Sequence, residues 1–284
     1  MAHDADTDVP SGIETGPTAT APTGPHDPVA VVDLGTPDVD ASAAAYARLL
    51  GLSQPTDDIG VFAARIRLRP STSGDQHRVL FGVPDADGHV RLLRRRGLEL
   101  TAPTGDDVRG EWHVDTLPFG VTPADPVADR GLTVSAPEVA ADIAGIDHLV
   151  FSSPDRNHAV ALFGATLGLD FRLDRRVVDG LRQLFFRRGD LVVEVVVPDS
   201  APADEPIRLW GIAWGSTDIG ATHRRLTDAG VGIPEVRDGR KPGTKVATIN
   251  DDALATRSII IGRSTVIGTD HPRRAASVHD EGAR

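Results

Sequence analysis

A design that occurs three times along the chain is the feature that most restricts its fold. Each copy begins with an apolar, strand-like run, passes through a turn that ends in an aspartate, and continues as a helix of about three turns. The aspartates are Asp38, Asp155 and Asp218, and a short acid at this place can accept hydrogen bonds from the first free amides of a helix. Each helix then stops at a glycine followed by an aliphatic residue, which is typical of a left-handed helix end; the glycines are Gly51, Gly168 and Gly230.

Three further strand candidates follow each helix, so the repeated unit is β-α-β-β-β. In the first copy these candidates are residues 61–70, 77–83 and 89–95. The second and third copies follow each other directly, whereas the first and second are separated by nearly two units, so we expect a fourth unit to begin after residue 100. Trp112–Asp125 resembles its first strand and turn, but no helical pattern follows and prolines interrupt the region. We therefore interpret residues 101–144 as a degenerate unit.

These units divide the chain into four parts. Residues 1–27 and 266–284 have little to bury and are predicted to be disordered tails. Residues 28–144 are predicted to hold the N-terminal unit with its degenerate partner, and residues 145–265 a complete two-unit domain. The predicted fold class is α+β, with tandem βαβββ units that form an open barrel.

Composition excludes several classes of function. The chain has no cysteine, which excludes disulfide scaffolds, zinc–thiolate sites, iron–sulfur clusters and cysteine nucleophiles. Its formal net charge of -11 argues against general nucleic-acid binding, which needs a basic face. No apolar run approaches the ~20 residues of a membrane span, and the acidic first residues lack the features of a signal peptide. We expect a cytoplasmic protein that does not bind membranes.

Paired units of this kind resemble the vicinal oxygen chelate superfamily, which includes glyoxalase I, extradiol dioxygenases, methylmalonyl-CoA epimerase and bleomycin-binding proteins. The motifs that carry the resemblance are GIDHLVFSSPD, TLGLDF, GDLVVEVVVP and WGIAWGSTDIGATHRRLTDAGV. The resemblance is good over residues 145–265 and weaker over 29–100. It implies that two units curl into an open barrel around a cavity, where catalytic members hold a divalent metal with ligands from the first and fourth strands of each unit.

The resemblance supplies four ligand positions in the C-terminal domain. The first and fourth strands of its first unit offer His148 and Glu194, and those of its last unit offer Gly211 and Ser258. In the N-terminal unit the same positions fall on Val31 and about Leu93. A catalytic divalent ion usually has three or more protein ligands. We therefore expect no tightly bound cofactor, and at most a divalent metal that His148 and Glu194 hold weakly until a substrate completes its shell.

Glu194 and His148 are also the candidate catalytic residues. Glu194 is the only charge in a strand that otherwise has the pattern of a buried strand, and a buried carboxylate must be paired, coordinated or protonated. It could instead form a salt bridge to Arg182 or Arg187, or lie exposed at a barrel rim. His148 could be an ordinary core histidine. We expect both side chains to face one cavity, within reach of each other directly or through one water.

The segment GRKPGTK, residues 239–245, is the candidate substrate-binding loop. It combines backbone N–H groups with positive charge, which suits a carboxylate, phosphate or enolate oxygen, and its candidate residues are Arg240, Lys241, Gly243, Thr244 and Lys245. The alternative is a solvated turn between two strands.

Two functions remain open at this point. The first is a glyoxalase-like or dioxygenase-like enzyme, of lyase, isomerase or dioxygenase type, that acts on a small oxygen-bearing molecule with Glu194 as base and His148 as acid or ligand. The second is a metal-free protein that binds or sequesters a small molecule, as bleomycin resistance proteins do. In either case an odd, unpaired unit would leave an open sheet edge, so we expect a homodimer.

The incomplete ligand set predicts that the purified protein retains no stoichiometric zinc, iron, manganese or nickel after dialysis. Elemental analysis of the dialysed protein checks this expectation. A stoichiometric metal that survives dialysis would contradict it, whereas a metal that binds only together with a substrate would agree with a substrate-completed shell.

Overall fold

The computed structural model describes residues 30–62, 64–72, 77–100, 110–114, 117–123, 140, 142–177, 180–202 and 204–263. The predicted tails and most of the predicted degenerate unit lie outside the described residues, so the predicted domain boundaries stay a prediction. In the described part of the chain, every helix is too short or too polar to cross a membrane.

The N-terminal half forms a six-stranded sheet in the order β2-β3-β1-β4-β6-β5. Its elements are β1 (Ala30–Thr36), α1 (Val39–Leu50), β2 (Asp58–Val61), β3 (Ala64–Pro70), β4 (His77–Val83), α2 (Ala86–Arg95), β5 (Gly110–Val114) and β6 (Leu117–Pro123).

The C-terminal half forms an eight-stranded sheet in the order β12-β13-β14-β11-β7-β10-β9-β8. Its first unit comprises β7 (Ile143–Ser152), α3 (Arg156–Ala159, continued by wider π-helical turns over Val160–Thr166), β8 (Asp170–Val177), β9 (Leu181–Arg188) and β10 (Leu191–Pro198). Its second unit comprises β11 (Arg208–Ser216), α4 (Ile219–Asp228), β12 (Arg237–Asp238), β13 (Thr244–Ile249) and β14 (Arg257–Arg263).

Both sheets follow one pairing rule. The first strand of each unit pairs in parallel with the last strand of the same unit, as β1 does with β3, β4 with β6, β7 with β10 and β11 with β14. The first strands of neighbouring units pair antiparallel at the centre of each sheet. In the described residues neither sheet closes on itself. The predicted α+β class with repeated units is therefore confirmed. Within the described residues, each N-terminal unit has one strand fewer than a C-terminal unit.

The predicted helix boundaries are confirmed at all three repeats. The side chains of Asp38, Asp155 and Asp218 accept hydrogen bonds from the backbone amides of Ala41 at 2.9 Å, His158 at 2.6 Å and Ala221 at 2.9 Å. The glycines that follow the three helices have positive φ angles, of 67° at Gly51, 70° at Gly168 and 74° at Gly230.

A fourth helix corrects the interpretation of the N-terminal half. Residues 89–95 were expected to form a strand, but they lie in α2, which Asp85 caps through a 2.8 Å hydrogen bond from the backbone amide of Gly88. The apolar Val90 and Leu92 alternate as in a strand, but Val90 and Leu93, three positions apart on one helix face, are the residues that are buried. The second unit therefore begins at β4 rather than after residue 100, and Trp112–Asp125 overlaps its last two strands, β5 and β6, not its first.

One apolar core lies between the two halves. The rings of Phe119, Phe151 and Phe163 meet there, with 6.0 Å between the first two centroids and 5.0 Å between the last two. Tyr46 of α1 contacts the ring of Trp214 on β11 edge to face, with 6.1 Å between centroids. The halves thus share the apolar burial that stabilises the fold.

Arginines also join the halves, in a reciprocal arrangement. Arg225 of α4 donates to the carbonyl oxygens of Arg48 at 3.0 Å and Leu49 at 3.1 Å, at the end of α1. Arg96, which ends α2, donates to the carbonyls of Ala165 and Thr166 at the end of the third helix, at 2.7 and 3.0 Å. These terminal carbonyls lack partners within their own helices, so each arginine completes a helix of the other half.

Replacing Arg225 is expected to destabilise the fold. Arg225 also binds the carboxylate of Asp142 at 3.0 Å, so Arg225→Ala leaves a largely buried carboxylate and two carbonyls without their donor. We expect a loss of about 2 kcal/mol or more in the free energy of unfolding, measured by urea denaturation. The exposed Arg224 on the same helix is the matched control, and Arg224→Ala should change stability by less than about 0.5 kcal/mol. Equal losses in the two variants would contradict a joining role for Arg225.

Candidate active site

A cleft of about 2360 Å³ opens on one face of the eight-stranded sheet. Alternate residues of the strands line it, because successive side chains of a strand point to opposite faces. The walls are largely apolar; they include Val150, Val192, Phe185, Val246, Ile259 and Ile261. The opposite face of the same strands, with Leu149, Val193 and Ile260, packs into the core.

His148 and Glu194 meet in this cleft. The parallel pairing of β7 with β10 places Val192 opposite His148 and Glu194 opposite Val150, so the two side chains are diagonal neighbours on the cleft face. Nε2 of His148 lies 3.1 Å from Oε2 of Glu194. Each residue is only 7% exposed. The expected direct contact is therefore present, while the catalytic roles of both residues stay a prediction.

Two neighbours complete the hydrogen bonding of this pair. Nδ1 of His148 lies 2.7 Å from Oδ2 of Asp147, and Nε2 of Gln183 donates to Oε1 of Glu194 at 2.5 Å. The side-chain oxygen of Gln183 accepts a hydrogen bond from Nε of Arg175 at 2.9 Å. Because this contact fixes the oxygen of the amide towards Arg175, the NH₂ group of Gln183 faces Glu194. Sequence reasoning did not identify Gln183, whose only signal was an uncharged polar residue among the apolar residues of β9.

The alternative salt bridges for Glu194 are not formed. Arg182 pairs with Asp174, and Arg187 donates to the carbonyl of Gly189 at 2.7 Å. Glu194 is also not at an exposed rim. Its partners are an imidazole and an amide, both inside the cleft.

His148 is held in its charged form. Burial acts to lower its pKa, but the hydrogen bonds and negative charges of Asp147 and Glu194 outweigh burial and raise the pKa to about 9. At neutral pH both ring nitrogens therefore carry a proton and donate, one to each carboxylate. His148 in this state is an acid and a hydrogen-bond donor rather than a base.

The candidate loop between β12 and β13 reaches the cleft with part of its residues. Arg240, Lys241 and Thr244 line the cleft. The ammonium group of Lys245 instead lies 2.7 Å from the carboxylate of Asp238. Gly243 has a φ angle of 76°, so it forms the turn without contributing a side chain. Binding of a substrate by these residues stays a prediction.

The last unit offers no metal ligand at the two remaining positions. A Cβ atom on Gly211 would lie 2.7 Å from the carbonyl oxygen of Arg257, so no ligand side chain fits there. Ser258 faces the core and accepts a hydrogen bond from the indole N–H of Trp214 at 3.2 Å. The strand register makes Ile259, not Ser258, the counterpart of Glu194, because Ile259 pairs with Ala213 as Glu194 pairs with Val150.

The N-terminal counterparts also differ from expectation. Leu93 lies in α2 and is fully buried in the core. The position equivalent to Glu194 is Arg67 on β3, which pairs with Asp33 of β1. Val31, the counterpart of His148, is buried and apolar as its residue type implies.

The donor set therefore does not fit a tightly held metal. Among the described residues, no group of three or more His, Cys, Asp or Glu side chains is arranged to hold one. Two of the four cleft positions are a glycine without room for a side chain and an isoleucine. The expectation of no tightly bound metal stays a prediction that only measurement on the protein tests.

Part of this chain is similar in sequence to a known protein family. Residues 147–248 match the family model of the Glyoxalase/Bleomycin resistance protein/Dioxygenase superfamily. No curated protein matches the chain in sequence.

Solved structures share the fold at low identity. A triple mutant of 4-hydroxymandelate synthase from Streptomyces coelicolor superposes with a TM-score of 0.64 and 16% identity, over 86% of this chain and 94% of that one. A halotolerant catechol dioxygenase gives a TM-score of 0.59 and 14% identity, over 84% of this chain and 87% of that one. Methylmalonyl-CoA epimerase from Mycobacterium tuberculosis covers 44% of this chain and 92% of its own, with a TM-score of 0.39 and 16% identity.

The raised pKa of His148 predicts how stability depends on pH. A group whose pKa is higher in the folded than in the unfolded state stabilises the fold below its unfolded value, and this stabilisation is lost as pH rises through the folded value. For His148 the loss falls between the ordinary pKa of about 6.5 and the folded value of about 9. We expect the free energy of unfolding of the wild type, relative to His148→Asn, to fall by roughly 1 to 3 kcal/mol between pH 6 and pH 10. A pH-independent difference, measured by urea denaturation, would show that His148 is not held charged.

Proposed function

We propose that this chain, which carries a domain of the vicinal oxygen chelate superfamily as its motifs indicated, is a small-molecule enzyme whose site works without a tightly bound metal. The observation that carries the proposal is the His148–Glu194 pair, which is buried at the wall of a large cleft and bonded at 3.1 Å. A buried acid–base pair that opens on a cavity is the arrangement expected of a functional site.

The pair suits removal of a proton from a carbon atom next to a carbonyl group. The carboxylate of Glu194 accepts the proton, and the electron pair of the C–H bond moves onto the carbonyl oxygen to form an enolate. The cations of the cleft, among them Arg240 and Lys241, stabilise this negative oxygen. Return of the proton from Glu194 to the carbon closes the cycle, and its return to a neighbouring atom on the same face yields an isomer.

Charge in the cleft favours an anionic ligand. Seven basic residues against five acidic residues line it, although the whole chain has a formal net charge of -11. Arg240 and Lys241 of the candidate loop are among these basic residues. A cleft with an excess of positive charge raises the local concentration of negatively charged ligands. We therefore propose a small organic acid as the substrate class.

A metal-free binding protein is the second candidate function. It is favoured by the hydrogen bonds of the pair, because both nitrogens of His148 and both oxygens of Glu194 already have partners in the protein. Such a pair can hold two strands together without reacting. The volume of the cleft also exceeds the roughly 300–1,000 Å³ that a small-molecule site needs.

A homodimer remains part of the proposal. Strands β2 and β5 end one described sheet and β8 and β12 end the other, and an open strand edge invites pairing with a second chain. The predicted cytoplasmic location also stays a prediction.

Exchange of carbon-bound protons tests the proposed reaction. We expect the wild type, incubated in D₂O with a panel of small 2-oxo and 3-oxo carboxylic acids, to replace the proton next to the carbonyl with deuterium, as followed by proton NMR. Glu194→Gln keeps the shape of the side chain but removes the base, so exchange should fall by about a hundred-fold or more. Glu205→Gln is the control, because Glu205 is a carboxylate of the same cleft that pairs with Arg208.

Each contrary outcome has a definite meaning. Equal exchange by Glu194→Gln and the wild type would refute Glu194 as the base. Acids that bind to the cleft without exchange in any variant would favour the binding protein instead. If the melting temperature of Glu194→Gln falls so far that unfolding explains its lost proton exchange, the His148–Glu194 pair has a structural role.

A further inference from the structure

Arg257 occupies the corner of the cleft from which a metal ligand is missing. It is paired with Gly211, the residue at the empty first-strand position of the last unit. A Cβ atom on Gly211 would lie 3.2 Å from Cβ of Arg257 as well as 2.7 Å from its carbonyl oxygen. Because Gly211 has no side chain, β14 approaches β11 closely, and the side chain at this level of the cleft is that of Arg257.

The guanidinium group of Arg257 is held over an aromatic ring. Its central carbon lies 4.9 Å from the ring centroid of Trp210, and both residues line the cleft. Stacking of this kind restrains the guanidinium plane and leaves its N–H edge able to donate to a planar, two-oxygen acceptor. The pair is therefore ordered before any ligand arrives.

Among the described residues, no carboxylate pairs with Arg257. Two other arginines at cleft-facing strand positions do have polar partners: Arg175 donates to Gln183 at 2.9 Å, and Arg208 pairs with Glu205. Arg257 has only the ring of Trp210 and is exposed to the cleft. Its charge is thus available to an incoming anion.

The N-terminal half shows what arginines at the same level of the other sheet do when an anion is supplied. By strand register, Arg67 and Arg78 stand at the equivalents of Glu194 and Gly211. Both guanidinium groups bind one carboxylate, that of Asp33, with Nε–oxygen distances of 2.5 Å for Arg67 and 2.6 Å for Arg78. In the N-terminal half, the chain itself therefore provides the anion, Asp33, that binds the two arginines.

Arg257 also lies at the same level of the sheet as Glu194. Gly211 pairs with both Arg257 and Val150, and Val150 pairs with Glu194. Strands are about 4.8 Å apart, so three spacings separate the two backbones by roughly 14 Å along the sheet. The long side chain of Arg257 and a small molecule can bridge this gap across the concave face.

We infer that Arg257 and Trp210 form an anion subsite that binds the carboxylate of a planar, aromatic acid, with a fixed guanidinium charge at the corner where a metal would otherwise stand. This deepens the proposed function, on which it rests, by naming the substrate class and the residue that holds its charged group. Bidentate pairing gives the affinity, and the ring of Trp210 provides an apolar surface beside the ligand.

Binding of benzoate tests the subsite without requiring the true substrate. Isothermal titration calorimetry of the full chain should show benzoate binding more tightly than the neutral benzamide. Arg257→Gln should weaken benzoate binding by about ten- to a hundred-fold, because a charged hydrogen-bond pair is lost. The variant should then bind benzoate and benzamide with equal affinity. Arg257→Lys, which keeps the charge but not the two-pronged geometry, should fall between.

Control variants separate this proposal from the proposed reaction. Arg263→Gln alters an exposed arginine on the same strand outside the cleft, so benzoate binding should be unchanged. Glu194→Gln should also retain benzoate binding, because it removes the base and not the subsite. Benzoate binding in Glu194→Gln together with lost proton exchange supports both proposals, whereas benzoate binding without proton exchange in the wild type leaves the subsite standing and refutes only the reaction.

Any of three results would contradict the anion subsite. The first is that the wild type binds benzoate no better than benzamide, or does not bind it at all. The second is that Arg257→Gln binds benzoate as tightly as the wild type, with an unchanged melting temperature. The third is that benzoate binding is lost in Arg240→Gln or Lys241→Gln and kept in Arg257→Gln, which would assign the anion to the loop instead.

Discussion

Parallel pairing between the first and last strands of a repeat is the constraint on which the candidate site depends. It places His148 and Glu194 side by side on the cleft face, although 46 residues of chain separate them. Neither charged group would be tolerated alone at 7% exposure, since burial of an unpaired charge is strongly unfavourable. Asp147 and Gln183 supply the remaining hydrogen bonds. A shift of one residue in the register would turn Glu194 into the core, so the pair and the register stabilise each other.

The same pairing occurs four times, and the residues at equivalent positions decide what each half can do. In the N-terminal sheet, Arg67 and Arg78 share the carboxylate of Asp33, so both guanidinium groups already have an anionic partner within the chain. In the C-terminal sheet, Glu194 binds His148, and Arg257 faces the cleft beside Gly211. Repetition of one fold therefore yields one half whose charges are satisfied internally and another half with charge available to a ligand.

The N-terminal half also supports the wall of the cleft. Arg48 of α1 pairs with Asp251 at 3.0 Å, and Asp251 belongs to the loop between β13 and β14 that lines the cleft. Arg225 binds the carbonyls at the end of the same helix. Burial acts to raise the pKa of its partner Asp142, but hydrogen bonds to that carboxylate from Arg225 and Thr222 hold the pKa below its usual range. The position of the cleft loops thus depends on contacts between halves that neither half makes alone.

Local rules explain what the sequence by itself determined. Caps at Asp38, Asp155 and Asp218, helix-ending glycines and apolar periodicity act within a few residues, so the repeated unit could be predicted from them. A single charge in an apolar run also indicated Glu194, and the resemblance to the vicinal oxygen chelate superfamily implied its pairing with His148, which strand alternation supported. The tertiary structure alone decided that residues 89–95 form a helix, because Val90 and Leu92 alternate as in a strand whereas Val90 and Leu93 share one helix face. It alone decided that Ser258 faces the core and Ile259 the cleft, and that Arg257 fills the space beside Gly211, because cross-strand neighbours follow from register and close backbone approach, which whole-sheet packing sets.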